Sequence, residues 1–337
     1  MRLLTESLVY GNDKLYFVTR ELNILFEYNI ADESIKMIGP APDEDNIVDR
    51  LFNGICLVDN KVFLAPYNAE NAWAYDLNTE KWIRIDINSF VGADVKGKCV
   101  GCVGVENNVY FIGYEYSGVL RLNTESWQIN KVVGLEGLNS YWGQTTAVIE
   151  SNAYIASHNT NEILELDMSN GTCKKHLNLT GENKFGGIVY YNKKFYILPN
   201  SGNKLYEWDG CTYINEYTLP EKYNTYSSVF NGLAISDDYI LLYSPARSKS
   251  FLLGYNGKPS VTIDDEVFFA KYIQNLGYIL CKKGEISILD NNLEQKKIIP
   301  IEMSKDKFEK FISKIKVKGN IYKENNIWTI NEYIKVI

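Results

Sequence analysis

The sequence predicts an all-β chain built from repeats, and three observations predict it. A short hairpin pattern returns along the 337 residues: "YDLNTEKW" at 75–82, "LRLNTESW" at 120–127, "LDMSNGTC" at 166–173, "LDNNLEQK" at 289–296 and "YNIADESI" at 28–35. "WDGCTY" at 208–213 and "YNGKPS" at 255–260 are shortened forms. Upstream of each copy lies an apolar strand, a tight polar turn and an aromatic strand, as in "SLVYGNDKLYFV" and "ICLVDNKVFLAP". The composition agrees, with 25 Tyr, 14 Phe and 6 Trp against 8 Pro, since aromatic residues favour strands.

A stretch that occurs seven times is a fold element before it is a recognition site. Its Asn, Asp and Gly residues tolerate the backbone angles a hairpin needs. The aromatic-strand anchors align as Tyr16, Phe63, Tyr110, Tyr154, Tyr196, Ile240 and Ile279. Their spacing is roughly 44 residues, within the range of propeller blades. Each unit reads as four strands, a to d, placed in the second unit at about 51–58, 61–67, 71–77 and 81–87 by their period of two. One such sheet has two apolar faces and cannot bury both alone, whereas sheets packed radially cover one another. The expectation is a seven-bladed β-propeller of four-stranded antiparallel blades over residues 1–301, with six or eight blades as alternatives.

Tyr75 followed by Trp82, after a strand of the "NNVYFIG" type, resembles the kelch repeat. Leu120 with Trp127 keeps the tryptophan alone. The glycine pair that ends the second strand of that repeat is missing: the corresponding ends read "APY", "IGY", "ASH" and "LPN". The chain is therefore similar to a divergent bacterial kelch-like family. The resemblance implies a propeller over roughly residues 2–301. It also brings in sugar-handling enzymes, because some kelch-like propellers are sialic-acid epimerases and others resemble carbohydrate lyases or oxidases. Fold analogy alone supplies no activity.

Residues 302–337 break the pattern and are expected to form a tail of helix, short strand and terminal helix, docked on the propeller. Phe308, Phe311, Ile312 and Ile315 make a helical stripe behind Ser304 as N-cap. Thr329 and Glu332 have capping-box spacing, with Trp328 and Tyr333 placed as a hydrophobic staple.

Composition narrows the function. Net charge is −7, and the basic cluster from Lys305 to Lys318 is interrupted by acids, so nucleic acid is not an expected partner. No apolar run reaches the roughly 18 residues of a membrane span, and the N-terminal stretch is broken by Thr5, Glu6 and Ser7. A cytoplasmic monomer is expected, without cofactor or metal. Cys99 and Cys102 form a lone C-x-x-C without a second pair and read as structural thiols. The acids Asp43, Glu44, Asp45 and Asp49 lack regular calcium-loop spacing and read as solvated charge.

The a–b turns are short and uniform, while the b–c and d–a connections are longer and varied, which marks the latter face for binding. Aligned strand entries place Glu6, Asn53, Gln144 and Asn231 around the channel mouth, with Tyr141, Trp142 and Tyr226 as stacking platforms that suit sugar rings. Glycines in "FNG", "YWG" and "FGG" would let neighbouring backbones approach there. Two histidines leave little acid–base chemistry. His176 is expected on a solvated outer strand. His158 lies on the binding face, and Glu6 with Arg247 or His158 is the one acid–base group that can be assembled. The favoured reading is a non-enzymatic module for a protein partner or a small polar or glycan ligand. The alternative is an epimerase- or lyase-like sugar enzyme working in the channel.

Overall fold

The Asn/Asp turn shared by the repeats is a fold corner in nearly every copy. In the computed structural model, Asp76 Oδ1 accepts the N–H groups of Asn78 and Thr79, each at 2.9 Å. Asn29, Asn123, Asp167, Asp209 and Asp290 cap their own turns in the same way. These side chains mimic a backbone turn, and the bonds hold Asp76, Asp167 and Asp209 below the usual carboxylate range. In the sixth blade Gly254 stands there instead, and its N–H donates to Ser260 Oγ at 3.2 Å.

The structure describes residues 1–45, 48–132, 145–157, 161–176, 185–199, 203–219, 232–243, 250–255, 258–263 and 265–312. Within these it has seven four-stranded antiparallel sheets, each made of four consecutive strands. The blades span residues 5–40, 52–85, 99–131, 146–176, 185–218, 232–263 and 269–300. Their a strands are Thr5–Gly11, Phe52–Val58, Cys99–Val105, Thr146–Ile149, Phe185–Tyr191, Gly232–Ile235 and Phe269–Ile273. These line a common central channel. The fold is the expected seven-bladed propeller, and the second blade's strands fall within two residues of their predicted bounds. A helical turn, Asn88–Val91, sits in the connection to the third blade, where the sequence suggested a loop.

The aligned b-strand anchors pack between blades. Tyr16, Phe63, Tyr110, Tyr196, Ile240 and Ile279 are buried, and Tyr154 is half-buried. Tyr278, beside Ile279, donates to Tyr239 O of the preceding blade at 2.7 Å. Tyr110 donates to Met168 O of the following one.

Two sequence expectations need correction. Tyr75 and Trp82 face each other across strands c and d, with ring centroids 5.2 Å apart. Trp127 is not the equivalent of Trp82. Leu122 pairs with Ile129, so Trp127 lies inside the turn at φ +58 and packs toward Phe63. The shared "LNTE" letters misalign the two hairpins by two residues, because the turn-capping residue is Asp76 in one and Asn123 in the other.

His176 is not on a solvated face. Its side chain is 11% exposed, and its Nε2 lies 2.6 Å from Glu165 Oε2. Its ring meets the Trp208 ring of the next blade edge-on at 4.8 Å. An outer strand is sheltered when the neighbouring blade offers an indole to cover it.

No described blade borrows a strand from the other end of the chain. The first and last blades are joined instead by the segment before the first strand. Leu3 N donates to Ile301 O at 2.9 Å, and Leu3 O accepts from Gly284 N at 2.8 Å. Arg2 and Glu302 form an antiparallel bridge. The helix Lys305–Ile312 begins at Ser304, whose Oγ accepts the Lys307 N–H at 3.3 Å. Its Phe308 and Phe311 share one core cluster with Leu3 of the leading segment, Leu8 and Leu15 of the first blade and Ile279 and Ile286 of the last. The rest of the proposed tail, including Ile315, Trp328, Thr329, Glu332 and Tyr333, lies outside the described residues.

Candidate functional site

Glycines bring the inner strands together. A Cβ on Gly54 would sit 2.5 Å from the Gly101 Cα of the neighbouring a strand, so only hydrogens fit between them. A Cβ on Gly187 would meet Thr145 Oγ1 at 2.3 Å. This is the close approach expected of the "FNG" and "FGG" entries. The strands enclose a channel of about 870 Å³.

Of the predicted binding residues, Glu6 and Asn53 line this channel. Tyr141, Trp142, Gln144, His158, Tyr226, Asn231 and Arg247 lie outside the described residues, so neither the aromatic platform nor the catalytic grouping can be assembled from described residues.

Glu6 is held by two guanidinium groups that the sequence reading missed. Its Oε1 accepts from Arg50 Nη2 at 2.7 Å and from Arg20 Nη1 at 3.1 Å. Arg20 also grips Asp49 through Nε and Nη2, both at 2.8 Å. The hydrogen bond to Asp49 is the main cause that raises the Arg20 pKa, against the opposing pull of burial. Arg50 lies over the Tyr67 ring, 5.5 Å from its centroid, and Tyr67 stacks on Tyr114 at 5.8 Å. The network ties the first two blades together at the channel edge.

The acids near Asp43 do not behave as one solvated cluster. Asp49 is bound by Arg20. Glu44 is only 2% exposed and accepts from Glu70 N, Asn71 N, Asn71 Nδ2 and Trp73 Nε1. A carboxylate turned inward needs such a full set of donors, since an unpaired buried charge is costly. Among the described residues no group of His, Cys, Asp and Glu could hold a metal ion. Lys98, buried opposite, donates to Ala69 O at 2.9 Å, and burial lowers its pKa.

Cys56, Cys99 and Cys281 are buried free thiols, and Cys102 is half-buried at the channel wall. Burial pushes the Cys99 thiol up to about 12, so it is a poor nucleophile at neutral pH.

Among the described residues, the channel lining holds one further cation. Lys271, from the a strand of the last blade, is exposed to the channel and has no ion-pair or hydrogen-bond partner among the described residues. Protein surrounds it, and desolvation lowers its pKa. The Asn53 amide is likewise without a partner, and Thr146 Oγ1 is buried without one. Near the a–b turns the lining becomes aromatic. Tyr191 donates to Asp237 Oδ1 at 2.8 Å and meets Tyr272 edge-on at 6.4 Å. Burial, then the Asp237 bond, raise the Tyr191 pKa. Aligning the a strands by their tight turns would have exposed Lys271, because the other copies are apolar there.

No protein-family model and no curated protein matches the chain. Solved propellers do. Virginiamycin B lyase from Staphylococcus aureus is 12% identical, with a TM-score of 0.64, over 88% of this chain and 93% of its own. YCF48 bound to D1 peptide is 11% identical, with a TM-score of 0.65, over 84% and 92%. Saccharomyces cerevisiae Sqt1 is 9% identical, with a TM-score of 0.62, over 88% and 85%. At these identities the likeness is one of fold.

Proposed function

We propose that this chain is a binding propeller that holds a peptide segment of a protein partner in its channel and against its long-loop face. The observation that carries the reading is the division of labour in the channel. Glu6, the acid nominated for catalysis, has its Oε1 engaged by Arg20 and Arg50. Asn53 and Lys271 instead present polar groups without partners among the described residues. Such groups favour a ligand that brings its own donors and acceptors, as a peptide backbone does. A propeller of this fold bound to a peptide, YCF48 with D1 peptide, supports the class of ligand. The kelch-like pairing of Tyr75 with Trp82 supports the same kind of module.

The sugar-handling reading draws on Tyr191 and Tyr272 beside Asp237, where aromatic faces and a carboxylate would suit a carbohydrate. Two screens on the purified full chain separate the readings. Panning a random peptide library should enrich binders whose affinity falls in Asn53→Ala. A glycan array that gives saturable signals while the peptide screen stays empty would sink the peptide reading. Product formation from a bound sugar, lost in Glu6→Gln, would establish the enzyme instead.

A further inference from the structure

The seven blades place equivalent residues of strand a opposite the b-strand anchors, so the repeat supplies its own control. Val9 pairs with Tyr16, Cys56 with Phe63, Val103 with Tyr110, Ala147 with Tyr154 and Val189 with Tyr196. In the sixth blade the tight turn at Ser236 and Tyr239 makes Ala234 with Leu241 the equivalent pair, one residue beyond the Ile240 that the sequence aligns. Six positions are apolar. In the seventh blade the residue opposite Ile279 is Lys271. A charge has replaced a hydrophobe at one point of a ring whose other copies need none.

The replacement opposes stability. Lys271 faces the channel but is ringed by protein, and desolvation alone moves its pKa downward. Among the described residues no carboxylate is near enough to raise it again. The acids that line the channel are otherwise engaged: Glu6 with Arg20 and Arg50, and Asp237 with the Tyr191 hydroxyl. A cation kept in a cavity without a counter-ion is arranged for one that arrives from outside.

We propose that Lys271 is the anion-recognising group of the channel and takes the carboxylate of a bound peptide. The inference rests on the peptide reading above and names the chemistry that the peptide must carry. Asn53, on the channel wall, is available for its polar backbone.

The test uses the full chain and two capped pentapeptide pools, random except for a central Asp or Asn. D-glucuronate and its methyl ester form a second, sugar arm. Calorimetry should show the Asp pool binding about tenfold tighter than the Asn pool, the size of one charge-assisted hydrogen bond. That preference should vanish in Lys271→Met. In the unaltered protein, the Asp pool should slow acylation of Lys271, read by mass spectrometry, while the Asn pool does not. Asp and Asn pools that bind alike, with no dependence on Lys271, would overturn this inference and leave the peptide reading standing. Glucuronate binding through Lys271 while both peptide pools fail would keep the carboxylate site but overturn its peptide source. If neither acid protects Lys271, the site itself is refuted.

Discussion

Glu44 Oε1 lies 2.9 Å from Trp73 Nε1, a charged hydrogen bond that pins the loop between the first two blades onto the core of the second. Both residues are buried. The same carboxylate takes three further donors from Glu70 and Asn71. Glu44→Ala would leave these donors without an acceptor, and the expected loss is about 3 kcal/mol or more in urea unfolding. Glu44→Gln keeps the shape and part of the acceptor set, so it should cost less. Equal, small losses for both would mean that the loop is not anchored here.

The glycine contact between inner strands makes a second prediction. Gly54→Ala forces its methyl group against the Gly101 backbone, which cannot rotate aside. The expected cost is about 2 kcal/mol, as for overpacking of a tight core. Gly171 has open space around it but a φ of +76, so Gly171→Ala should cost about 1 kcal/mol from backbone strain alone. Thermal melts of the pair rank the two effects. The reverse order would show that the inner strands can separate freely.

Much of this fold was legible because repetition turns weak local signals into one strong one. The capping role of Asp76 is ambiguous in a single copy, but six copies of an Asn or Asp at the same turn fix the register of the ring. Where letters repeat without that role, as at Trp127, the reading slipped by two residues. The site was less legible. Glu6 and Asn53 were found by their place at the entry to strand a, which is topological. Arg20 and Arg50, which neutralise Glu6, come from other elements, and their meeting is a tertiary fact. Glu44 looked solvated because neighbouring acids surround it in sequence, and only the opposing amides and indole show which way it turns. His176 was misplaced for a similar reason, since the covering Trp208 belongs to another blade.

Lys271 makes stability depend on pH in a stated direction. Its pKa in the folded chain is below the ordinary lysine value of about 10.4. Below the folded value both states bind the proton, and the folded state bears the full cost of a desolvated charge. Between the two values the unfolded chain holds more protons, so stability rises with pH. Above the unfolded value the cost has gone. Lys271→Met should therefore be more stable than the parent at neutral pH, with an advantage that shrinks on approach to about pH 10.4. Paired unfolding curves across that range measure it. A variant less stable at neutral pH, or a gap constant with pH, would show that Lys271 is not a strained cation.

The seam between the last and first blades is the ring's weakest point on covalent grounds, because no described strand crosses it. Its hold comes from the short pairing at Leu3 and Ile301 and from the helix Lys305–Ile312. Phe308 is 3% exposed in the cluster that both blades share. Phe308→Ala removes that ring from a site that cannot fully collapse, and the expected loss is about 3 kcal/mol. Glu309→Ala, on the exposed side of the same helix, should change stability by no more than about 0.5 kcal/mol. Hydrogen exchange gives the location of the effect: protection should fall first at Leu3, Gly284 and Ile301, whose amides close the ring. If Phe308→Ala unfolds like the parent and those amides stay protected, the helix does not seal the seam, and closure rests on the backbone pairing at Leu3 alone.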